Sequence, residues 1–586
     1  MAHKPRLRHG EESAQATSRR IPEGSPRASN TESVTPAGAR ASKLTAVDEP
    51  VERRWDSALL LPILLVLLGT LAGIGAKLYS NSVWDDAYVF VRYARNLLAH
   101  GAVSWNPAGD PTYGTTAPMY LVVVVPLEWI LRSDAAVVAA AASLLCGLVF
   151  LGVLWHLLDR HIETNSTIVR RCAVFFVGTV VLWSIHPLAE HFVSGMDTTF
   201  ALLYATTYLL AVKHDERNED RRSLLLVGIL GGLGFWARPD IMIFSVSVPL
   251  AMLLVGREPR RRAWLRLGIT LAVAGLLVLV SWLYFASPLP LSFYAKSTKL
   301  YEDTVYAAHR NDPRFELIRF CRAYWPLAGF ILMRLGLVAV RRARPFSPVE
   351  IGLLAGTVLF IVYYAGFVLQ ISALHQRFYY PTLPALAFLG AQSAAALLER
   401  LPRLRQILWR RREGIALTVA LALTAIPGLI VQLRQMQTAR RSAPLFVHNS
   451  AREHYRTTWI SRTWFRLHLF SELPDDLVMA MTEFGYPAVM NPGKTIIDLT
   501  GLNHTEFAHH GFSADILFRQ QPPDLIFMPW RDYSRMLAQI RTHPEFLDDY
   551  QYFSPRQLGT AMGLALRRSS KHYPRMLEIV LGGQAR

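Results

Sequence analysis

WDDAYVFVRYARNLLAHGAVSWNPAGDPTYGTTAPMYL, residues 84–121, follows directly on the first long hydrophobic run of the chain. Two adjacent aspartates, Asp85 and Asp86, open a stretch that reads as an amphipathic helix carrying Arg92 and Arg95. One carboxylate ahead of a helix caps backbone N–H groups, but a second is not needed for that purpose. On helical spacing Asp85, Tyr88 and Arg92 share one face, and Asp86, Phe90 and Tyr93 share another. Acids and bases placed together where a hydrophobic span ends suit a substrate bearing both a hydroxyl and a phosphate.

Composition sets the class. Of 586 residues, 52% are hydrophobic and 18% charged, and the mean hydropathy is +0.22. Soluble domains are nearer a quarter charged, so the balance implies a multi-pass membrane protein. A formal charge of +18 would suggest nucleic acid for a soluble chain. Here the basic residues lie between hydrophobic runs, where the positive-inside rule accounts for them without a polyanionic partner. Cys146, Cys172 and Cys321 form no CxxC pair and no metal spacing, which argues against a disulfide framework. Residues 1–54, rich in Ser, Pro, Ala, Arg and Glu, read as a disordered cytoplasmic tail. The first apolar run begins too far from Met1 for an ordinary secretory signal and reads as an uncleaved anchor.

A helix needs about 20 apolar residues to cross the hydrocarbon. Candidate runs are 57–78, 117–131, 135–157, 172–189, 198–213, 223–237, 240–255, 267–286, 324–340, 350–371, 379–397 and 414–433. The loops REPRRRAWLR (257–266), RRARP (341–345) and ERLPRLRQILWRRRE (399–413) are Arg-rich and therefore cytoplasmic, and KHDERNEDRR (213–222) fits the same side. That places 190–197, 287–323, 372–378 and everything after 433 outside. If 159–171 is also inside, 117–131 and 135–157 supply one crossing between them. The expectation is an all-α transmembrane domain over 55–433 with about eleven crossings, 117–131 being partly re-entrant. Beyond it, LVMAM (477–481), KTIIDL (494–499), DLIFMP (524–529) and GLALRR (563–568) are strand-like runs between polar helical stretches. They predict an extracytoplasmic soluble α/β domain over 434–586.

Charged residues recur on the predicted outer side. HPLAEHFVSGMDTTF (186–200) holds Glu190, His191 and Asp197. SPLPLSFYAKSTK (287–299) holds Lys296 and Lys299, and LHQRFYYP (374–381) holds His375, Arg377 and Tyr380. FWARPDI (235–241) places Arg238 and Asp240 at a Pro-marked break between two apolar runs, where an ion couple is costly unless paired or facing a wet cavity. Each loop taken singly reads as a solvated or snorkelling charge. Their convergence on one side favours a site.

Residues 84–121 resemble the first outer loop of C-type (GT-C) polyprenyl-phosphate-dependent glycosyltransferases. In that family an acidic pair precedes Tyr/Phe, Arg-Tyr-Ala, an Asn-Pro-Gly turn and a Gly-x-(Ser/Thr)-x-Pro entry to the next helix. SGMDT, ARPD, FYAK, RFYYPTLP and IIDLTGLN follow in the family's order. Within it the chain resembles the mycobacterial arabinofuranosyltransferase that caps arabinan and its bacterial relatives; protein O-mannosyltransferases and the lipid A aminoarabinose transferase look like more distant cousins. The resemblance covers about residues 57 to 580.

It implies transfer, with inversion, of a sugar such as arabinofuranose or another pentose or hexose from a polyprenyl-phosphate donor to a glycan or lipid acceptor. The setting it implies is the outer side of a bacterial plasma membrane, among membrane lipids and without nucleic acid. It places the catalytic acids on Asp85, Asp86 and Asp197, with Asp85 as general base. Substrate binding falls on Tyr88, Arg92, Glu190, His191, Arg238, Asp240, Lys296, His375, Arg377 and Tyr380, with Lys296 and Arg377 on the lipid phosphate. Polyprenyl-phosphate users resemble metal-free systems, and three acids alone are weak metal evidence; no cofactor is expected, with a divalent metal left open. Gly-Lys-Thr at 493–495 lacks the upstream glycines of a phosphate loop and reads as turn and strand. Trp459, Trp464, Trp530, Tyr533 and Tyr550 suit either sugar stacking or core packing. The competing reading, a lipid-linked sugar translocase, calls for mid-span ionisable residues and repeated halves, and neither is visible in the sequence.

Overall fold

Along the helix Leu60–Ser80 the leucines at 60, 61, 64, 67, 68 and 71 form one exposed stripe, while Ile63, Val66, Thr70, Ile74 and Lys77 face inward. Apolar outside and mixed inside is the pattern of a helix solvated by lipid. The inner face packs Ile63 and Val66 against Phe175, Leu182 and Ala425 of two later helices. The computed structural model describes residues 59–80, 83–218, 220–256, 258–297, 313–368, 374–400, 411–442, 470–529, 533–560 and 562–582. The expected tail over 1–54, Lys299, Trp459, Trp464 and Trp530 lie outside the described residues.

The chain is a multi-pass membrane protein. Six described helices are long and apolar enough to cross: Leu60–Tyr79, Ala135–His161, Arg260–Phe285, Pro348–Gly366, Tyr380–Leu398 and Ile415–Arg441. A seventh span arises if Thr167–Trp183 and Ile185–Val193, bent by 76°, count as one. Pro187 explains that bend, because it removes an amide donor from the first turn after the break. Five of the twelve apolar runs fall short. Thr198–Asn218 and Pro313–Ala339 are 21 and 27 residues long, but the first ends in a charged cluster over 213–217 and the second carries charges at 314, 316, 319, 322 and 334. Arg221–Ala237 has only 17 residues, and Pro118–Leu131 and Pro239–Val255 are shorter apolar helices. The run over 117–131 is thus too short to span, in line with its re-entrant reading.

The C-terminal α/β segment holds a five-stranded sheet: β1 (Val478–Met481), β2 (Thr495–Asp498), β3 (Leu525–Phe527), β4 (Tyr550–Phe553) and β5 (Leu564–Arg567), in the order β2-β1-β3-β5-β4. β1 lies parallel to β2 and β3, with Ala480 opposite Ile497 and Ile526, and the other pairs are antiparallel. Four strands match the expected runs; β4, YQYF, was not foreseen. Period-two alternation splits β1 between two cores. Met479 and Met481 join Tyr88, Val91 and Trp105 of the first loop, whereas Ala480 faces Phe507, Leu517 and Ile540. One face of the sheet therefore rests on the first-loop helix, and the carboxyl ends of β1 and β2 carry the loops that meet it.

Candidate functional site

The helix Asp85–His100 turns Asp85 and Asp86 toward different partners. Asp85 does not cap its own helix, since Trp84 is the N-cap residue and no side chain bonds there. Its carboxylate accepts instead from the backbone N–H of Gly485 at 3.0 Å and of Tyr486 at 2.8 Å, beyond β1. Burial and the adjacent charge of Asp86 push its carboxyl up to about 7 against the pull of those amides. Tyr88 packs edge-on against Tyr486. Arg92 is buried and donates to the carbonyls of Trp105 at 2.8 Å, Ala488 at 2.5 Å, Asn491 at 3.1 Å and Lys494 at 2.8 Å. The Asp85–Tyr88–Arg92 face is thus the seat of the C-terminal segment.

A Cβ added at Gly485 would lie 2.0 Å from the backbone oxygen of Asp85, so only glycine lets the two segments approach this closely. Gly485→Ala is expected to lower stability by about 1–3 kcal/mol, as other overpacked sites do. A thermal melt in detergent checks this; an unchanged midpoint would contradict the seat.

The other face opens on charges. Asp86 is about half exposed, with its side chain 47% accessible, and meets Arg377 Nη1 at 3.3 Å. Arg377 and Lys296 both lie against the ring of Phe378, at 4.8 and 5.6 Å from its centroid. Burial, then repulsion from Arg377, lowers the Lys296 ammonium to about 8, and Asp86, Arg238 and Asp197 also act on it. These five groups therefore share one electrostatic environment. Phe378, a ring that neither composition nor spacing marked out, spaces the two cations.

Two sharp turns deliver Asp197 and Arg238. Gly195 has φ +77°, and a Cβ there would lie 2.7 Å from Ala139 and 2.8 Å from Ala87, the residue after Asp86. The Ser194 carbonyl accepts from the Trp84 amide at 3.0 Å, which ties this turn to the start of the acidic helix. Asp197 is buried, and its Oδ2 has no hydrogen-bond partner among the described residues. Pro239 forbids helical backbone at Arg238, which is extended and ends its helix. Arg238 donates to both oxygens of Asp240, at 3.2 and 2.6 Å, and Tyr364 bonds the same carboxylate. The couple is buried and paired, as its cost inside a membrane protein demands.

The remaining residues line or support the site. His375 has φ 54°, and its carbonyl meets His191 Nε2 at 2.9 Å. Trp84 packs edge-on to His191 and tilted on His375. Tyr380 lies against His191 and Phe320 in the core beneath. Glu190 points elsewhere and forms a buried ion pair with Lys77 of the first helix. Among the described residues no three His, Cys, Asp or Glu side chains are arranged to hold a metal ion. Tyr533 and Tyr550 pack in the second core of the sheet, which decides against a stacking platform at these two positions.

The sequence reading passed over a chain of contacts that binds the segments together. Tyr93 donates to Asn503 Oδ1 at 2.9 Å, and Asn503 donates to Asp498 Oδ2 through both its amides. Asp498 also accepts from Thr500, and burial raises its carboxyl to about 6. IIDLTGLN, read as strand and turn, held the signal: an acid within five residues of Thr and Asn at a strand end.

Residues 118–285 match the dolichyl-phosphate-mannose-protein mannosyltransferase family. The fold is similar to that of ArnT from Cupriavidus metallidurans in the apo state, with a TM-score of 0.52 at 16% identity, covering 86% of this chain and 98% of that one. The family match is confined to residues 118–285, and the likeness to ArnT is one of fold. The Archaeoglobus fulgidus oligosaccharyltransferase also matches, with a TM-score of 0.46 at 14% identity, covering 85% of this chain and 72% of that one. No curated protein sequence matches the chain. The family match over 118–285 takes in Glu190, His191, Asp197, Arg238 and Asp240, whereas Asp85, Asp86, Lys296 and Arg377 lie on either side of it.

Proposed function

We propose that this protein is a GT-C glycosyltransferase that transfers a sugar from a polyprenyl-phosphate donor to a hydroxyl of a cell-envelope glycan or lipid, on the outer side of a bacterial plasma membrane. The observation that carries the reading is the ion pair of Asp86 with Arg377, a cation that shares the ring of Phe378 with Lys296. An exposed acid beside two cations matches the two charges that change during the reaction. Asp86 takes the acceptor's hydroxyl proton as general base. The freed oxygen forms its bond to the anomeric carbon from the face opposite the phosphate. The anomeric C–O bond breaks, its electron pair leaves on the polyprenyl phosphate, and configuration inverts. Lys296 and Arg377 stabilise the charge that grows on that phosphate.

The general base passes here from Asp85, where the resemblance put it, to Asp86. Asp85 already accepts two backbone amides and secures the C-terminal segment, whereas Asp86 is open to an acceptor. Asp197, with its unbonded buried oxygen, and the Arg238–Asp240 couple complete the polar wall. Thr198–Asn218, largely buried, and Pro313–Ala339, with one apolar face exposed, bring the crossings toward eleven, with the C-terminal segment outside. Arabinofuranose is the first donor sugar to test.

Purified protein in lipid nanodiscs, given a panel of polyprenyl-phosphate pentoses and hexoses, tests the reading; no transfer from any donor would overturn it. A pH profile adds a second check. Lys296, with its pKa lowered to about 8, is charged below that pH and neutral above it. Donor kcat/KM is therefore expected to fall as pH rises through about 8, and Lys296→Arg, which stays charged, is expected to flatten that limb. Identical profiles for the two proteins would remove Lys296 from phosphate binding.

A further inference from the structure

Glu483 stands just past the carboxyl end of β1, two residues before the Gly485 amide that bonds Asp85. In sheets with parallel strands the carboxyl ends are where loops present ligand-binding groups. The loop has little freedom to turn away. The amides of Gly485 and Tyr486 are both committed to Asp85, and position 485 admits no side chain. Glu483 is thereby held beside the acidic pair on the first-loop helix. The groups that act on it are Asp85, Asp86 and Asp498, with no cation among them. Its carboxyl group is half-buried, and no hydrogen bond or ion pair engages it among the described residues.

A half-buried carboxyl group held near three other acids, with no cation on it, is open to hydrogen bonds from a molecule outside the chain. Its acidic neighbours repel an anionic phosphate and suit a neutral, hydroxyl-rich molecule. Burial and the neighbouring acids raise its carboxyl to about 8, so at neutral pH it offers an O–H donor as well as an acceptor oxygen.

We infer that Glu483 is an acceptor-binding residue: its carboxyl group hydrogen-bonds a hydroxyl of the incoming acceptor sugar beside the one that gives its proton to Asp86. This rests on the transferase reading and deepens it. The helical part of the protein holds the donor, and the C-terminal segment selects a polyhydroxylated acceptor. Such a role explains why the segment is anchored through Asp85, Arg92 and Tyr93, on the same helix that carries the base.

The test uses the full chain in nanodiscs, with polyprenyl-phosphate pentoses and hexoses as donors and octyl glycosides of the same sugars as acceptors. Glu483→Ala is expected to raise the acceptor KM about tenfold or more, with the donor KM changed less than about twofold, as fits loss of one buried hydrogen bond. Glu483→Gln keeps a donor and an acceptor. It is expected to recover most of the acceptor affinity and to remove the decline in acceptor kcat/KM that the parent protein shows above pH 8. An unchanged acceptor KM in Glu483→Ala, an equal shift in both KM values, or a glutamine variant as impaired as alanine would overturn the inference. Should Glu483→Ala fail to fold, the pH profile of Glu483→Gln decides: a flat limb supports the role and a parental one refutes it. Absence of transfer by the parent protein would instead refute the transferase reading itself.

Discussion

Asp86→Asn is expected to slow sugar transfer about 10²–10⁴-fold, the usual weight of a positioned general base, while the protein stays folded. The fold should survive because Asp86 is half exposed and, among the described residues, holds a single ion pair, at 3.3 Å to Arg377. Exposed pairs of this kind contribute about 1 kcal/mol or less. The contrast with Asp85→Asn is the informative one. Asn at 85 turns an NH2 toward one of the two amides that Asp85 now accepts, so one donor faces another. That variant is expected to lose about 1–3 kcal/mol of stability and less activity than Asp86→Asn. Initial rates and melting midpoints on the same preparations separate the two roles. A larger rate loss for Asp85→Asn at matched folding would return the base to Asp85.

Arg92→Ala carries the largest expected effect on stability. Arg92 is 2% exposed, and its guanidinium reaches carbonyls on both sides of the junction, at Trp105 and at Ala488, Asn491 and Lys494. Burial lowers its pKa to about 9, which leaves it charged at neutral pH. Its removal strands several buried carbonyls at once, each costing about 1–3 kcal/mol, so a loss of at least about 3 kcal/mol is expected. Arg92→Lys is expected to recover little, because one ammonium cannot reproduce the planar fork. Limited proteolysis reads the outcome: the C-terminal segment should become cleavable before the helical part unfolds. Parental resistance in Arg92→Ala would show that the seat does not depend on this residue.

The same helix shows what sequence periodicity delivers and what it withholds. The 3.6-residue repeat put Asp85, Tyr88 and Arg92 on one face and Asp86, Phe90 and Tyr93 on the other. In the structure Asp85 and Arg92 reach the C-terminal segment and Asp86 meets Arg377, but Tyr93 joins the first group through Asn503. What covers each face depends on residues about 400 positions away, at Tyr486, Ala488 and Asn503, which no local pattern encodes. An Arg that grips carbonyls and an Arg that waits for a phosphate read alike in sequence. Glu190 went astray for a similar reason, since its partner Lys77 lies 113 residues upstream on another helix. Arg238 and Asp240 were legible because both members of the pair, and the proline that breaks the helix, sit within three residues. Strands β1, β2, β3 and β5 announced themselves as apolar runs; β4 holds partly exposed Gln551 and Tyr552 between buried Tyr550 and Phe553, and its edge position needs no such run. Thr198–Asn218 shows why apolar runs and long apolar helices need not coincide: its run ends in Lys213, Asp215, Glu216 and Arg217, which lower the hydropathy of the helix.

The most direct measurement follows radiolabelled sugar from polyprenyl-phosphate donors onto acceptor in nanodiscs, comparing the parent protein with Asp86→Asn at equal folded concentration and assigning the anomeric configuration of the product by NMR. Transfer with inverted configuration that the asparagine variant nearly abolishes is the predicted result. Retained configuration, or equal rates for the two proteins, would contradict a single displacement driven by Asp86.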